Sequence, residues 1–255
     1  MKTAIVYVTH KLTAEIHEEI LKLYDETKNF ATLYIVYQAD LLNISDYTLD
    51  HIPHFSFSIG QLNQLGYRTF GSKLMDGNFH LVLLYFFLHH SQFDYYWLVE
   101  YDVRFTGNWA TFFTTFENKQ VDFVSAHVET WNQNPNWLWW HSIHLSNLKL
   151  TKNQVLKSFN PICRFSNRAL RLLNERCRMG DLGHNEVLMA TLFRYYKLSI
   201  LDFGGHGSYT DEQTRDLFYI DDIKDSENNM GTHRFRPEFK LSEITLANKI
   251  YHPIK

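Results

Sequence analysis

The 255-residue sequence holds only two cysteines, Cys163 and Cys177. Two cannot build a disulfide framework in a chain of this length, and they lack the spacing of metal ligands. Both read as plain thiols, Cys163 in a strand and Cys177 on a helix. Long hydrophobic runs are also missing. The longest, Leu81–Leu88, falls far short of the roughly 20 residues that cross a bilayer. The opening MKTAIVYVTH has no basic region, long apolar segment or small-residue cleavage site of the secretory type. The expectation is a soluble, cytoplasmic protein, with peripheral membrane contact left open. There is no excess of one charge sign: 25 Lys+Arg stand against 28 Asp+Glu, a net charge of -3. A dedicated nucleic-acid binder usually shows a basic excess, so nucleic acid is not an expected partner. No G-x-G-x-x-G follows the first strand and no G-x-x-x-x-G-K-[ST] occurs, which takes support from dehydrogenase and P-loop readings.

What is present is an ordinary globular balance, 45% hydrophobic and 21% charged, which excludes wholesale disorder and coiled coil. The aromatic share is high at 16%. Many of these rings belong in a core, and the surplus suits faces that stack on flat or ring-shaped ligands.

Apolar periodicity predicts strands at Ala4–Thr9, Leu33–Gln38, His54–Ile59, Tyr95–Glu100, Val121–His127, Ile162–Phe165 and Leu198–Phe203. It predicts helices at Ala14–Tyr24, from Asp76-Gly77-Asn78 through Phe87, at Trp109–Phe116, at Asn167–Arg178 behind a Ser166 cap, and at Asn185–Tyr195. A β-α-β unit within the first forty residues implies a parallel sheet with right-handed crossovers. Residues 211–230 are acidic, polar and weakly periodic, and read as a mobile excursion. No repeat, low-complexity tract or linker interrupts the chain. One α/β domain with a mostly parallel, Rossmann-like sheet flanked by helices and a loop-rich second half is the simplest account.

Ligands on open α/β sheets sit beyond the carboxyl ends of the strands. Glu100 and Asp102 fall there. Residues two apart in an extended segment point the same way, and paired carboxylates suit a hard cation. Such a cation can bridge a diphosphate and neutralise charge on it as a leaving group. Two solvated acids at a strand end account for the same spacing equally well.

The run WLVEYDVRFTGNW resembles the strand and Asp-x-Asp-type segment of nucleotide-sugar-dependent glycosyltransferases of the GT-A fold. DGNFHLVLLYFF, DFVSAHV, CRFSNRAL, GHNEVLMATL, HRFRPEF and the terminal YHPIK resemble, in order, pieces of one group of GT-A-like proteins along most of the chain. One departure is Glu100, where the commonest motif has Asp. The resemblance implies Asp102 as principal ligand of Mn²⁺ or Mg²⁺, Glu100 at the ribose or in support of the metal, and His252 completing the coordination. It places the nucleoside on the first β-α unit, with Thr9 and His10 ending one strand and Asp40 the next. About 1–128 would hold the nucleotide sugar, and about 129–255 the acceptor side and the tail.

Asp76 and Asn78 are placed at a helix start, where backbone N–H groups favour phosphate. Asp76 would repel phosphate and suits a sugar hydroxyl better, and Asn78 is a candidate for contact with the nucleotide sugar. Glu186, after Gly183-His184-Asn185, is the candidate base that takes the acceptor proton in an inverting transfer, with Asp181 in reserve. In a retaining enzyme Glu186 would bind sugar hydroxyls instead, and a capping role also fits. The Trp131–Trp140 loop has four tryptophans among amides, a combination that holds sugar rings, packs a core or meets lipid. The expected partners are a nucleotide-diphosphate sugar donor and a glycan, lipid or protein acceptor. The rival readings are a non-catalytic carbohydrate-binding protein on the same fold and a sugar nucleotidyltransferase.

Overall fold

The apolar, β-branched runs of the first half form parallel strands, and the amphipathic runs between them form the helices that cover the sheet. The structure, a computed structural model, describes residues 1–42, 44, 49, 51–221 and 231–255. Its strands are β1 (Thr3–Thr9), β2 (Ala31–Gln38), β3 (His54–Phe57), β4 (Tyr95–Glu100), β5 (Arg104–Phe105), β6 (Phe123–Thr130), β7 (Leu156–Ser166), β8 (Ile200–Asp202) and β9 (Ile250–Tyr251). Its helices are α1 (Ala14–Thr27), α2 (Ile59–Gln64), α3 (His80–His89), α4 (Trp109–Glu117), α5 (Asn167–Arg178) and α6 (Asn185–Tyr195). Seven strands form one sheet in the order β3-β2-β1-β4-β7-β6-β8, and β5 pairs with β9 in a separate ribbon. The chain thus has an α/β, Rossmann-like fold with a mostly parallel sheet between helical layers.

Alternate residues of the central strands feed two cores. On one face Tyr96 and Leu98 of β4 join Leu83 and Phe86 of α3, Leu170 of α5 and Leu188 of α6. On the other, Trp97 and Val99 meet Ile16 and Ile20 of α1 and the Phe112, Phe113 and Phe116 rings of α4. At this face Arg164, 1% exposed, donates to the carbonyls of Phe116, Lys119 and Val121. It thereby satisfies carbonyls that the end of α4 leaves open.

The sheet departs from an all-parallel one at β7, which runs antiparallel to both β4 and β6. This brings the amino-terminal part of β7 to the same edge as the carboxyl ends of β1, β2 and β4. The reading of Ile162–Phe165 as a short strand undercounts β7, which extends over Leu156–Ser166 with every residue buried. Alternation is lost when both faces are covered, so periodicity marks only part of it.

The helix after Asp76-Gly77-Asn78 begins later than the cap signal implies, at His80, with no side-chain cap. Asp76 instead accepts from the backbone N–H groups of Ser72 and Lys73, each at 2.9 Å. The short helix α2, the β5–β9 ribbon and the bulges of β6 have no periodic signature. The excursion expected at 211–230 is tied down in its first part: Thr214, Phe218 and Tyr219 are buried, and both rings pack in the α4-side core. Residues 222–230 of that segment lie outside the described residues. Among the described residues, no helix is long and apolar enough to cross a membrane.

A candidate metal and sugar-nucleotide site at the sheet edge

β4 ends at Glu100, and the chain turns sharply so that Val103 N–H bonds the Glu100 carbonyl at 3.1 Å. The turn is fastened from below. The Tyr101 carbonyl accepts from Arg104 at 2.8 Å and from the Tyr7 hydroxyl at 3.2 Å. Asp102 is thereby held at the carboxyl edge of the sheet. The C-terminal segment returns to the same place, because β9 pairs antiparallel with β5 and Ile254 N–H bonds the Asp102 carbonyl at 3.0 Å.

This return seats His252 against Asp102, with Nε2 and Oδ1 3.5 Å apart. His252 Nδ1 lies 2.7 Å from the Arg234 carbonyl. Donation to that carbonyl orients the ring so that Nε2 faces the carboxylate. Asp102 Oδ1 is buried without a hydrogen-bond partner. One ligand atom each from Glu100, Asp102 and His252 lie within 4.8 Å of one another. Two lone-pair donors facing each other around an unsatisfied oxygen are costly unless a proton or a cation stands between them. An O,O,N donor set fits Mn²⁺ or Mg²⁺.

Burial, with Asp102 and Glu186 nearby, holds the Glu100 carboxyl well above the usual carboxylate range. For Asp102, burial pushes upward and His252 more than offsets it, so the net displacement is downward.

Glu186 faces the same cleft from the first turn of α6. Burial pushes its carboxyl up to about 7, against the pull of Lys157 and His127. His184 caps α6 by accepting from Glu186 N–H at 3.4 Å, and burial lowers its ring to about 4, keeping it neutral. Gly77, at φ 95°, is the glycine this region requires: a Cβ there would stand 2.2 Å from the His184 ring. Arg236 and Lys255 supply the cleft's exposed cations.

Of the predicted site residues, the structure brings Glu100, Asp102, His252 and Glu186 together. Thr9 and His10 lie at the same sheet edge, where His10 packs edge-on against Tyr101 at 4.8 Å. The Thr9 hydroxyl is engaged with the backbone of Lys11, and Asp40 is exposed in the turn after β2. Asn78 is 1% exposed and its amide is fully used on the loop, bonding Phe70 N–H and the carbonyls of Phe70 and Lys73. It shapes the cleft wall and offers nothing to a phosphate. Asp181 is buried in a two-point contact with Arg176, at 2.7 and 3.0 Å, and also accepts from Ser146 N–H. That pairing removes it as a reserve base. In the tryptophan loop, Trp140 is buried against Trp131 and Trp137. Trp139 stays 37% exposed and stacks on His184 at 5.2 Å.

Sequence reasoning missed Asn160 and Lys255. Asn160 sits on the part of β7 that periodicity does not mark. Lys255 has no signal beyond its place in the tail.

No protein-family model matches the chain, and no curated protein matches it. Among solved structures it is similar to a glucose-1-phosphate thymidylyltransferase from Bacillus anthracis in complex with sucrose. That likeness has 8% identity and a TM-score of 0.45, over 81% of this chain and 88% of that one. It is also similar to a 4-diphosphocytidyl-2C-methyl-D-erythritol synthase from Anaerococcus prevotii. Here identity is 10% and the TM-score 0.46, over 82% and 90% of the two chains. Likenesses this distant bear on neither activity nor substrate.

Proposed function

We propose that the protein is a metal-dependent glycosyltransferase that moves a sugar from a nucleotide diphosphate to a hydroxyl of a glycan, lipid or protein acceptor. The observation that carries this reading is the meeting of Glu100 and Asp102 with His252, from the far end of the chain, within 4.8 Å at the sheet edge. Asp102 and His252 would hold Mn²⁺ or Mg²⁺, with Glu100 as a third ligand or in support. The cation supplies charge neutralisation at the departing diphosphate. Arg236 and Lys255, both paired with Glu238 at the exposed rim of the cleft, are the cations that phosphate oxygens would draw away from it. Glu186, with its affinity for a proton raised by burial, takes the proton of the attacking hydroxyl if configuration inverts. His10 and Asp40 are the candidates for nucleoside contact. Thr9 and Asn78 keep the shape of the edge.

A sugar nucleotidyltransferase is the second reading. A Rossmann-like sheet ending in an acidic cluster also suits a nucleoside triphosphate and a sugar phosphate. The loop between β1 and α1, residues 10–13 (HKLT), is short and, though it carries Lys11, has no glycine to let a backbone cradle a triphosphate.

The test offers the protein Mn²⁺ with UDP-glucose, UDP-galactose, UDP-N-acetylglucosamine or GDP-mannose and, separately, nucleoside triphosphates with sugar 1-phosphates. The expected result is slow release of UDP or GDP that EDTA stops. Pyrophosphate release from the second set would establish the nucleotidyltransferase. Sugar binding without either reaction would leave a binding protein.

A further inference from the structure

Beside the candidate base lies a hydrogen-bonded relay. Asn160 is 4% exposed, on β7. The hydroxyls of Ser125 and Ser158, themselves buried, each lie 2.8 Å from Asn160 Oδ1. Asn160 Nδ2 then donates to Asn185 Oδ1 at 3.0 Å. The Asn185 backbone is held too, its N–H bonding the Gly77 carbonyl at 2.7 Å. Asn185 lines the cleft, and with its oxygen engaged its NH₂ has no hydrogen-bond partner among the described residues. The cleft wall beside it carries Glu186 and Glu100.

We propose that Asn185, held by Asn160 as a positioning residue, reads one free hydroxyl of the donor sugar. This rests on the glycosyltransferase reading. A sugar hydroxyl accepts one hydrogen bond and donates another. Asn185, at the start of α6, offers the donor of that first bond, while Glu186 is kept for the acceptor's proton. A deoxy position leaves the Asn185 NH₂ without its bond. The donors selected are sugars with a free hydroxyl at the read position. Asn160 and Asn185 are preformed on a strand and a helix, which lowers the ordering cost of recognition.

The test is a ligand-and-residue cycle with Mn²⁺. The parent is whichever of the four nucleotide sugars above the native protein hydrolyses. It is compared with its 2-, 3-, 4- and 6-deoxy congeners, for the native protein and for Asn185→Ala. Losing a hydroxyl that a site is built to bind costs roughly tenfold or more in kcat/KM. The native protein is expected to show that loss for one congener. Asn185→Ala is expected to lose a similar factor on the parent and to stop distinguishing parent from that congener. Its affinity for UDP or GDP alone should be unchanged, which shows an intact fold and nucleotide site. Full discrimination retained in Asn185→Ala would overturn the inference and leave the glycosyltransferase reading standing. No hydrolysis of any nucleotide sugar would overturn both.

Discussion

Asp102 and Asp181 are both buried carboxylates, and their surroundings assign them opposite roles. Both oxygens of Asp181 are satisfied by Arg176, one also by Ser146. Breaking a buried pair strands the other charge and costs about 3–5 kcal/mol. Asp181→Asn is therefore expected to unfold at much lower denaturant concentration, with turnover per folded molecule little changed. Asp102 has one charged contact, His252 at 3.5 Å, and its carboxyl is displaced downward, so its charge adds to the fold, though through one long contact against the two short ones of Asp181. Asp102→Asn is expected to lower Tm in EDTA by much less than Asp181→Asn and to lose the stabilisation that Mn²⁺ gives the native protein. A native-like response of Asp102→Asn to Mn²⁺ would remove it as a ligand.

Glu186 has a pH signature. Its carboxyl is pushed up to about 7 by burial, and only the ionised form accepts a proton. Turnover should fall as pH drops through about 7 and level off above it. Glu186→Gln should lose this limb and roughly 10²–10⁴-fold in kcat, with donor affinity unchanged. A retained product anomer, or near-normal kcat, would leave Glu186 as a helix-start residue. Its candidacy was legible from its place before an apolar helix. The carboxylates it faces were not, because they come from β4, and only the sheet brings them near.

At the scale of elements, the C-terminal tail does two jobs. His252 faces Asp102, while Tyr251 and Ile254, 2% and 7% exposed, pack with Phe239. Burying such side chains contributes about 1.5–3 kcal/mol each. Deleting Tyr251–Lys255 should then lower Tm by several degrees and abolish metal-dependent nucleotide binding together. His252→Ala should separate the two, losing metal dependence with a much smaller thermal shift. A deletion variant with native Tm would contradict this packing. The YHPIK ending was legible as a site element through its histidine, and its pairing with β5 was not, since two-residue strands have no period. Helix caps were legible where the capping residue directly precedes the helix, as Ser166 does α5. The Asp76-Gly77-Asn78 signal misled because its side chains close the preceding loop instead.

For the whole molecule, the sheet order decides how the halves relate. β7, from the second half of the chain, lies between β4 and β6 of the first. A fragment covering about 1–128 would leave β4 and β6 with unpaired edges and apolar faces bare. It is expected to stay unfolded by circular dichroism. The intact chain should melt in a single calorimetric transition that Mn²⁺ with UDP or GDP shifts upward. Two separated transitions would argue for independent units.

The sequence by itself determined the elements and their class. β-branched runs and helical periodicity act over a few residues, and so does the cap at Ser166. It also determined that a carboxylate pair ends an apolar strand. Only the tertiary structure decided which polar residues are free to act. Asn78, Thr9 and Asp181 have the same chemistry as ligands, but neighbours distant in sequence or in adjoining loops take up their hydrogen-bonding capacity. Among the described residues Asp102 Oδ1 and Asn185 Nδ2 have no hydrogen-bond partner, and the contacts beside them, to His252 and Asn160, come from equally distant neighbours. Hydrogen-bond satisfaction depends on contacts between residues far apart in the chain, and no local pattern encodes it.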